Sequence, residues 1–189
     1  MLAVSALAVL GTAYLFGRAW LPPGEVNAHE GFERVEIAAR GPGDPWAKAV
    51  GDINGDGRID LIVGGNASGG LVWYENPAWA RHSIDGKGSF GTDIEVADIN
   101  RDGRNDVVAL RGKQLVWYRH GDWAMSIVAE QRFHDVEAAD LNGDARIDLV
   151  ARDQSAFSGS GAKIHIFLQN EQGGWKDVAI DAPEGEGLR

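Results

Sequence analysis

Residues 49–65 read AVGDINGDGRIDLIVGG. A polar, glycine-broken run, DINGDG, enters from a short apolar stretch and leaves into another, IDLIV. Two further stretches match it. EVADINRDGRNDVVAL spans residues 95–110 and EAADLNGDARIDLVAR spans residues 137–152. Their leading aspartates, Asp52, Asp98 and Asp140, are 46 and 42 residues apart. A period of this size is that of a four-stranded blade in a radial β architecture.

Working outward, each repeat reads as four strands. One enters the acidic loop, as at 94–97 and 136–139, and a second leaves it at 59–63, 105–110 and 147–151. A third is aromatic and apolar (71–74, 115–118, 164–168), and a fourth opens on tryptophan (79–84, 123–128, 175–180). Short Val/Ile/Trp/Tyr runs between Gly, Asn and Asp turns are strand signals. No stretch after residue 30 carries helical periodicity. The expected fold is all-β: β-propeller blades of four antiparallel strands, about three of them, at roughly 46–84, 92–128 and 134–180. Residues 32–37 match a fourth strand and fit a closing strand. Propellers typically need about four to eight blades. The missing blades are therefore expected from a longer parent chain or from self-association.

The loops follow Asp-x-Asn-x-Asp-Gly-x-x-Asp. Calcium is a hard cation taking about 6–8 oxygen ligands. Side chains at positions 1, 3, 5 and 9, with the carbonyl of position 7, supply them. The first set is Asp52, Asn54, Asp56, the Arg58 carbonyl and Asp60. The second is Asp98, Asn100, Asp102, the Arg104 carbonyl and Asp106. The third is Asp140, Asn142, Asp144, the Arg146 carbonyl and Asp148. Gly57 and Gly103 permit the turn at position 6, where the third loop has Ala145. Apolar Ile53, Ile99 and Leu141 at position 2 are expected to tuck under their loops. An EF-hand wants Glu at position 12 and flanking helices. Position 12 is Val63, Ala109 and Ala151, and strands flank the loops. The metal-free alternative is a set of Asx turns.

GDINGDGRIDLIVGG, VADINRDGRNDVVAL and HDVEAADLNGDARIDLVA resemble the FG-GAP/VCBS repeat family, whose blades are similar to those of the integrin α-subunit propeller. The resemblance covers roughly residues 30–189 and implies a calcium-bearing propeller. It does not fix a function, because that family includes adhesion modules, lectin-like binders, lyases and dehydratases.

Composition bounds the rest. Net charge is −10, which disfavours nucleic acid as a partner. Nine of the 28 carboxylates lie at positions 1, 5 and 9 of the three loops, and like charges so grouped call for a counter-ion. There is no cysteine, so disulfides and thiolate zinc sites are excluded. Residues 2–16, LAVSALAVLGTAYLF, suit a signal-peptide apolar region, and Val26-Asn27-Ala28 a small-x-small cleavage site. Residues 1–28 are thus expected to be a signal peptide or an uncleaved anchor, residues 29–189 the propeller segment, and the protein extracytoplasmic. An uncleaved anchor would be its one tie to a membrane.

No nucleophile elbow, HExxH, P-loop or dinucleotide fingerprint is present. Residues entering the first strands, on the face opposite the acidic loops, are candidate ligand contacts: Trp46, Lys48, Thr92, Asp93, His134 and Asp135. Glu95 and Glu137 share one position in adjacent blades and are expected to face the channel or the neighbouring blade. His134 is read as an inter-blade hydrogen-bonding residue, the repeated tryptophans as packing residues, and the long 152–163 loop as functional or a tolerated insertion. Two functions are carried forward: an exported, calcium-stabilised binding or scaffold module for glycan or protein ligands, and the partial propeller of a secreted carbohydrate-active lyase or dehydratase.

Overall fold

The computed structural model describes residues 34–38, 40–153 and 163–181. Its strands are β1 Gly43–Gly51, β2 Asp60–Ser68, β3 Leu71–Glu75, β4 Ala80–Asp85, β5 Phe90–Ala97, β6 Asp106–Arg111, β7 Gln114–Tyr118, β8 Met125–Ala129, β9 Phe133–Ala139, β10 Asp148–Asp153, β11 Lys163–Gln169 and β12 Trp175–Asp181. They form three separate four-stranded sheets, β1-β2-β3-β4, β5-β6-β7-β8 and β9-β10-β11-β12. Every pairing is antiparallel between chain neighbours. These are propeller blades, three in number among the described residues, and they do not close a ring.

The register is the same in each blade. Position 9 of the acidic loop opens the second strand and pairs with the last residue of the first: Asp60 with Gly51, Asp106 with Ala97, Asp148 with Ala139. Tyr74, Tyr118 and Phe167 then occupy one position, opposite Leu61, Val107 and Leu149.

Packing occurs between blades. One core gathers Ile53, Ile62, Leu71 and Trp73 of the first blade with Phe90, Ile94, Val107 and Tyr118 of the second. The other gathers Ile99, Val108, Leu110 and Leu115 of the second with Phe133, Val136, Leu149 and Phe167 of the third. Gly64 is small because Phe90 needs the space: a Cβ there would lie 2.6 Å from the Phe90 Cβ.

The structure corrects two expectations, the place of two tryptophans and the burial of Leu141. Trp79 and Trp123 stand in the turn before the fourth strand, at φ of 55° and 53°, because the Trp79 and Trp123 amides close back on the Glu75 and Arg119 carbonyls. Only Trp175 opens its strand. Ile53 and Ile99 are buried, at 1% and 0% exposure, in the cores shared with the following blade. Leu141, with no described blade following it, is 48% exposed. Of the expected closing strand at 32–37, residues 32–33 lie outside the described residues and residues 34–37 are irregular. Residues 1–33 and 154–162, which include the leader and most of the long loop, lie outside the described residues. Among the described residues no helix is long and apolar enough to cross a membrane.

Candidate functional site

The acidic loops bring positions 1, 3 and 5 together in one repeated geometry. In the first loop the Gly55 amide donates to Asp52 Oδ1 at 2.7 Å and the Gly57 amide to Asp52 Oδ2 at 2.8 Å. The Asp56 amide donates to Asn54 Oδ1 at 3.0 Å and the Arg58 amide to Asp56 Oδ1 at 2.8 Å. The second loop repeats this on Asp98, Asn100 and Asp102, with the Gly103 amide on Asp98 Oδ2 and the Arg104 amide on Asp102 Oδ1. In the third, Ala145 donates to Asp140 Oδ2 at 2.9 Å and Arg146 to Asp144 Oδ1 at 2.9 Å. Ala145 achieves this at φ 64°, beside 82° at Gly57 and 84° at Gly103. The missing glycine thus changes the strain of the third loop and not its shape.

These bonds set the electrostatics. The Arg58 amide holds the Asp56 carboxyl below its ordinary range, and the Ala145 amide does the same for Asp140. Burial pushes Asp144 up, but the Arg146 amide, the Asn142 side chain and the Arg146 guanidinium bring it below the ordinary value. The Arg58 and Arg146 guanidinium groups also reach the position-5 carboxylates of their own loops.

Position 9 behaves differently. Asp60, Asp106 and Asp148 are the buried carboxylates of the described blades, at 1%, 0% and 0% exposure. Each ties its loop to the end of the third strand or the turn just after it. Asp60 accepts from the Ile53 and Asn76 amides, at 3.0 and 2.9 Å, and Asp148 from the Leu141 and Gln169 amides, at 3.1 and 2.9 Å. Asp106 accepts from the His120 amide at 2.7 Å, and the Asn100 and Ile99 amides also face its carboxylate. Burial pushes the Asp106 carboxyl up, against the His120 amide. Among the described residues no three His, Cys, Asp or Glu side chains converge as a preformed metal cage. The position-9 clamp is invisible in the sequence, because the partner amides of Asn76, His120 and Gln169 lie 14 to 21 residues away.

The first strands place the other candidates. β5 and β9 are stitched side by side: the Thr92 hydroxyl donates to the His134 carbonyl, and the Val136 amide to Asp93 Oδ2 at 3.0 Å. Thr92, Asp93 and the His134 backbone therefore serve the blade seam, while the His134 ring lies 3.3 Å from Asp135. Trp46 is 55% exposed and Lys48 is exposed. Glu95 is half-buried, and burial, then Glu137 and Asp93, push its carboxyl up to about 7. Asp85, at the end of β4, accepts from Tyr118 Oη at 2.8 Å and Arg111 Nε at 2.9 Å across the first seam. Burial pushes Asp85 up, but the Lys87 amide, Tyr118 and Arg111 hold it below its ordinary range.

A sequence model described as FG-GAP-like repeat matches residues 52–109 and 98–151, together a little over half of the chain. No curated protein matches the chain in sequence.

Proposed function

The chain belongs to the FG-GAP-like repeat family, and from that premise we propose that it is an exported, calcium-stabilised propeller module that binds a glycan or protein ligand. The observation that carries the calcium reading is the geometry repeated in all three loops, which folds the carboxylate and amide oxygens of positions 1, 3 and 5 into one tight turn. Carboxylates gathered in one loop repel each other, and a hard cation is the partner that such oxygens suit. The donor set agrees, being carboxylate, amide and carbonyl oxygen throughout. Asp98, Asn100, Asp102, Asp106 and the Arg104 carbonyl would hold the ion in the second blade, and the equivalent residues in the others. The ion supplies charge cancellation: three divalent ions would bring −10 to −4. The chain's own residues do the rest, since position 9 already ties each loop to the end of the third strand or the turn just after it.

Calorimetric titration of the full chain, stripped with chelator, tests this. Saturable calcium binding that weakens in Asp98→Ala is expected; a flat titration overturns the reading.

Glu95 favours the second function. A carboxyl pushed up to about 7 by burial, and by Glu137 and Asp93 on the first strands of adjacent blades, has the poise of a general acid or base. Lyase activity on an acidic polysaccharide, lost in Glu95→Gln, would establish that alternative.

A further inference from the structure

A groove of about 690 Å³ lies between the second and third blades on the acidic-loop side. Its walls include Trp117, Arg101, Gln169, Asn170, Glu171 and Gln172. We infer that this groove is a binding subsite for a neutral oligosaccharide, with Trp117 as its platform and Arg101 as its polar anchor. The inference rests on the binding-module reading and gives it a site and a ligand class.

Three departures from the repeat meet here. The first is Arg101. Position 4 of the loop is left-handed in every blade, with Gly55 at φ 77° and Gly143 at φ 79°, yet the second blade has arginine at φ 62°. Any residue with a Cβ is strained in that region, and such strain concentrates at functional sites. Arg101 makes no hydrogen bond or ion pair with the described residues, and its side chain is exposed at the groove.

The second is the hairpin between β11 and β12. Tyr74 pairs with Arg81 and Tyr118 with Met125, each enclosing six residues, whereas Phe167 pairs with Asp177 and encloses nine. The extra length supplies Asn170, Glu171 and Gln172 to the groove wall.

The third is the uncovering of Trp117. Its counterpart Trp73 is stacked beneath His82, with ring centroids 4.2 Å apart, and His82 is held by Glu75 at 2.9 Å. Opposite Trp117 the strand carries Ser126 instead of histidine. Trp117 is half-buried, packed on the second core from one side and lining the groove from the other.

An aromatic face beside planar amide, guanidinium and carboxylate groups matches a sugar ring, which offers C–H surface and hydroxyls that both donate and accept. The volume lies within the range of about 300–1,000 Å³ usual for ligand sites. Arg101 and Glu171 oppose in charge, and Arg146 is committed to Asp144 and the Gln169 carbonyl. The lining is therefore near neutral beside acidic loops, which disfavours polyanions.

The test is tryptophan fluorescence and calorimetric titration of the full chain with cellotriose, maltotriose, laminaritriose and chitotriose. Digalacturonate serves as the acidic comparison. At least one neutral trisaccharide is expected to bind, at least about tenfold more weakly in Trp117→Ala and in Arg101→Gly. Arg101→Gly restores the residue the other loops use and leaves the candidate calcium ligands intact, so its loss of binding cannot come from unfolding. Binding by none of the neutral sugars, or preference for digalacturonate, overturns the inference. Sugar binding that Arg101→Gly leaves unchanged removes the groove while leaving the binding-module reading standing.

Discussion

At the scale of single residues, Ala145 holds a backbone conformation that glycine occupies in the other two loops, while making the same hydrogen bond to the leading aspartate. Ala145→Gly is therefore expected to stabilise the chain by about 0.5–1 kcal/mol, read as a higher urea midpoint with unchanged slope. The Asp-Gly pattern breaks at Ala145 in the sequence, and the backbone angle shows that the break is one of strain. Glu95 gives a second prediction. Its folded pKa, about 7, stands above the ordinary carboxylate value, so the folded chain binds the extra proton. Stability from this group is full at pH 4 and is lost as pH rises through 7. Glu95→Gln should gain about 1–2 kcal/mol at pH 8, discounted for partial exposure, and nothing at pH 4. Equal effects at both pH values would refute the assignment.

At the scale of elements, each acidic loop is clamped from behind by its ninth residue. Asp106→Ala leaves the His120 amide without its acceptor at a buried position. In calcium-free buffer the variant should lose about 1–3 kcal/mol. Asp98→Ala, whose carboxylate is on the exposed side of the same loop, should lose less. Urea unfolding with chelator present measures both, and the reverse order would show the clamp to be unimportant. The strands themselves were legible, because short β-branched runs between Asx turns recur at one period. Their ends were less so. The recurring tryptophan places Trp79 and Trp123 at strand starts like Trp175, whereas local amide closure puts them in turns. The position-9 aspartates were legible as oxygen donors but not as buried clamps, since burial depends on a turn brought in by the third strand.

At the scale of the whole molecule, the blades meet through apolar cores and through polar residues that cross the seams. Asp85 gathers Tyr118 and Arg111 across the first seam, and Asn105 Nδ2 reaches the Asp52 carbonyl at 2.8 Å. Asp85→Ala should cost about 2–3 kcal/mol by leaving a buried phenol and a guanidinium without their acceptor. Repetition made the blades and their order readable from sequence. The seams were not, because Asp85 and Arg111 carry no repeat signature. Leu141 marks the same limit: the sequence shows it equivalent to Ile53 and Ile99, but its burial depends on a following blade.

Thermal unfolding of the full chain, in chelator and then in millimolar calcium or magnesium, tests the loops most directly. An ion that binds only the folded state stabilises it by about 2.7 kcal/mol per site at a hundredfold excess over Kd. A calcium-specific rise in Tm is expected, largely lost in Asp98→Ala. An unchanged Tm in a cooperatively folded chain would mean that the loops are Asx turns alone and that the blades stand without metal.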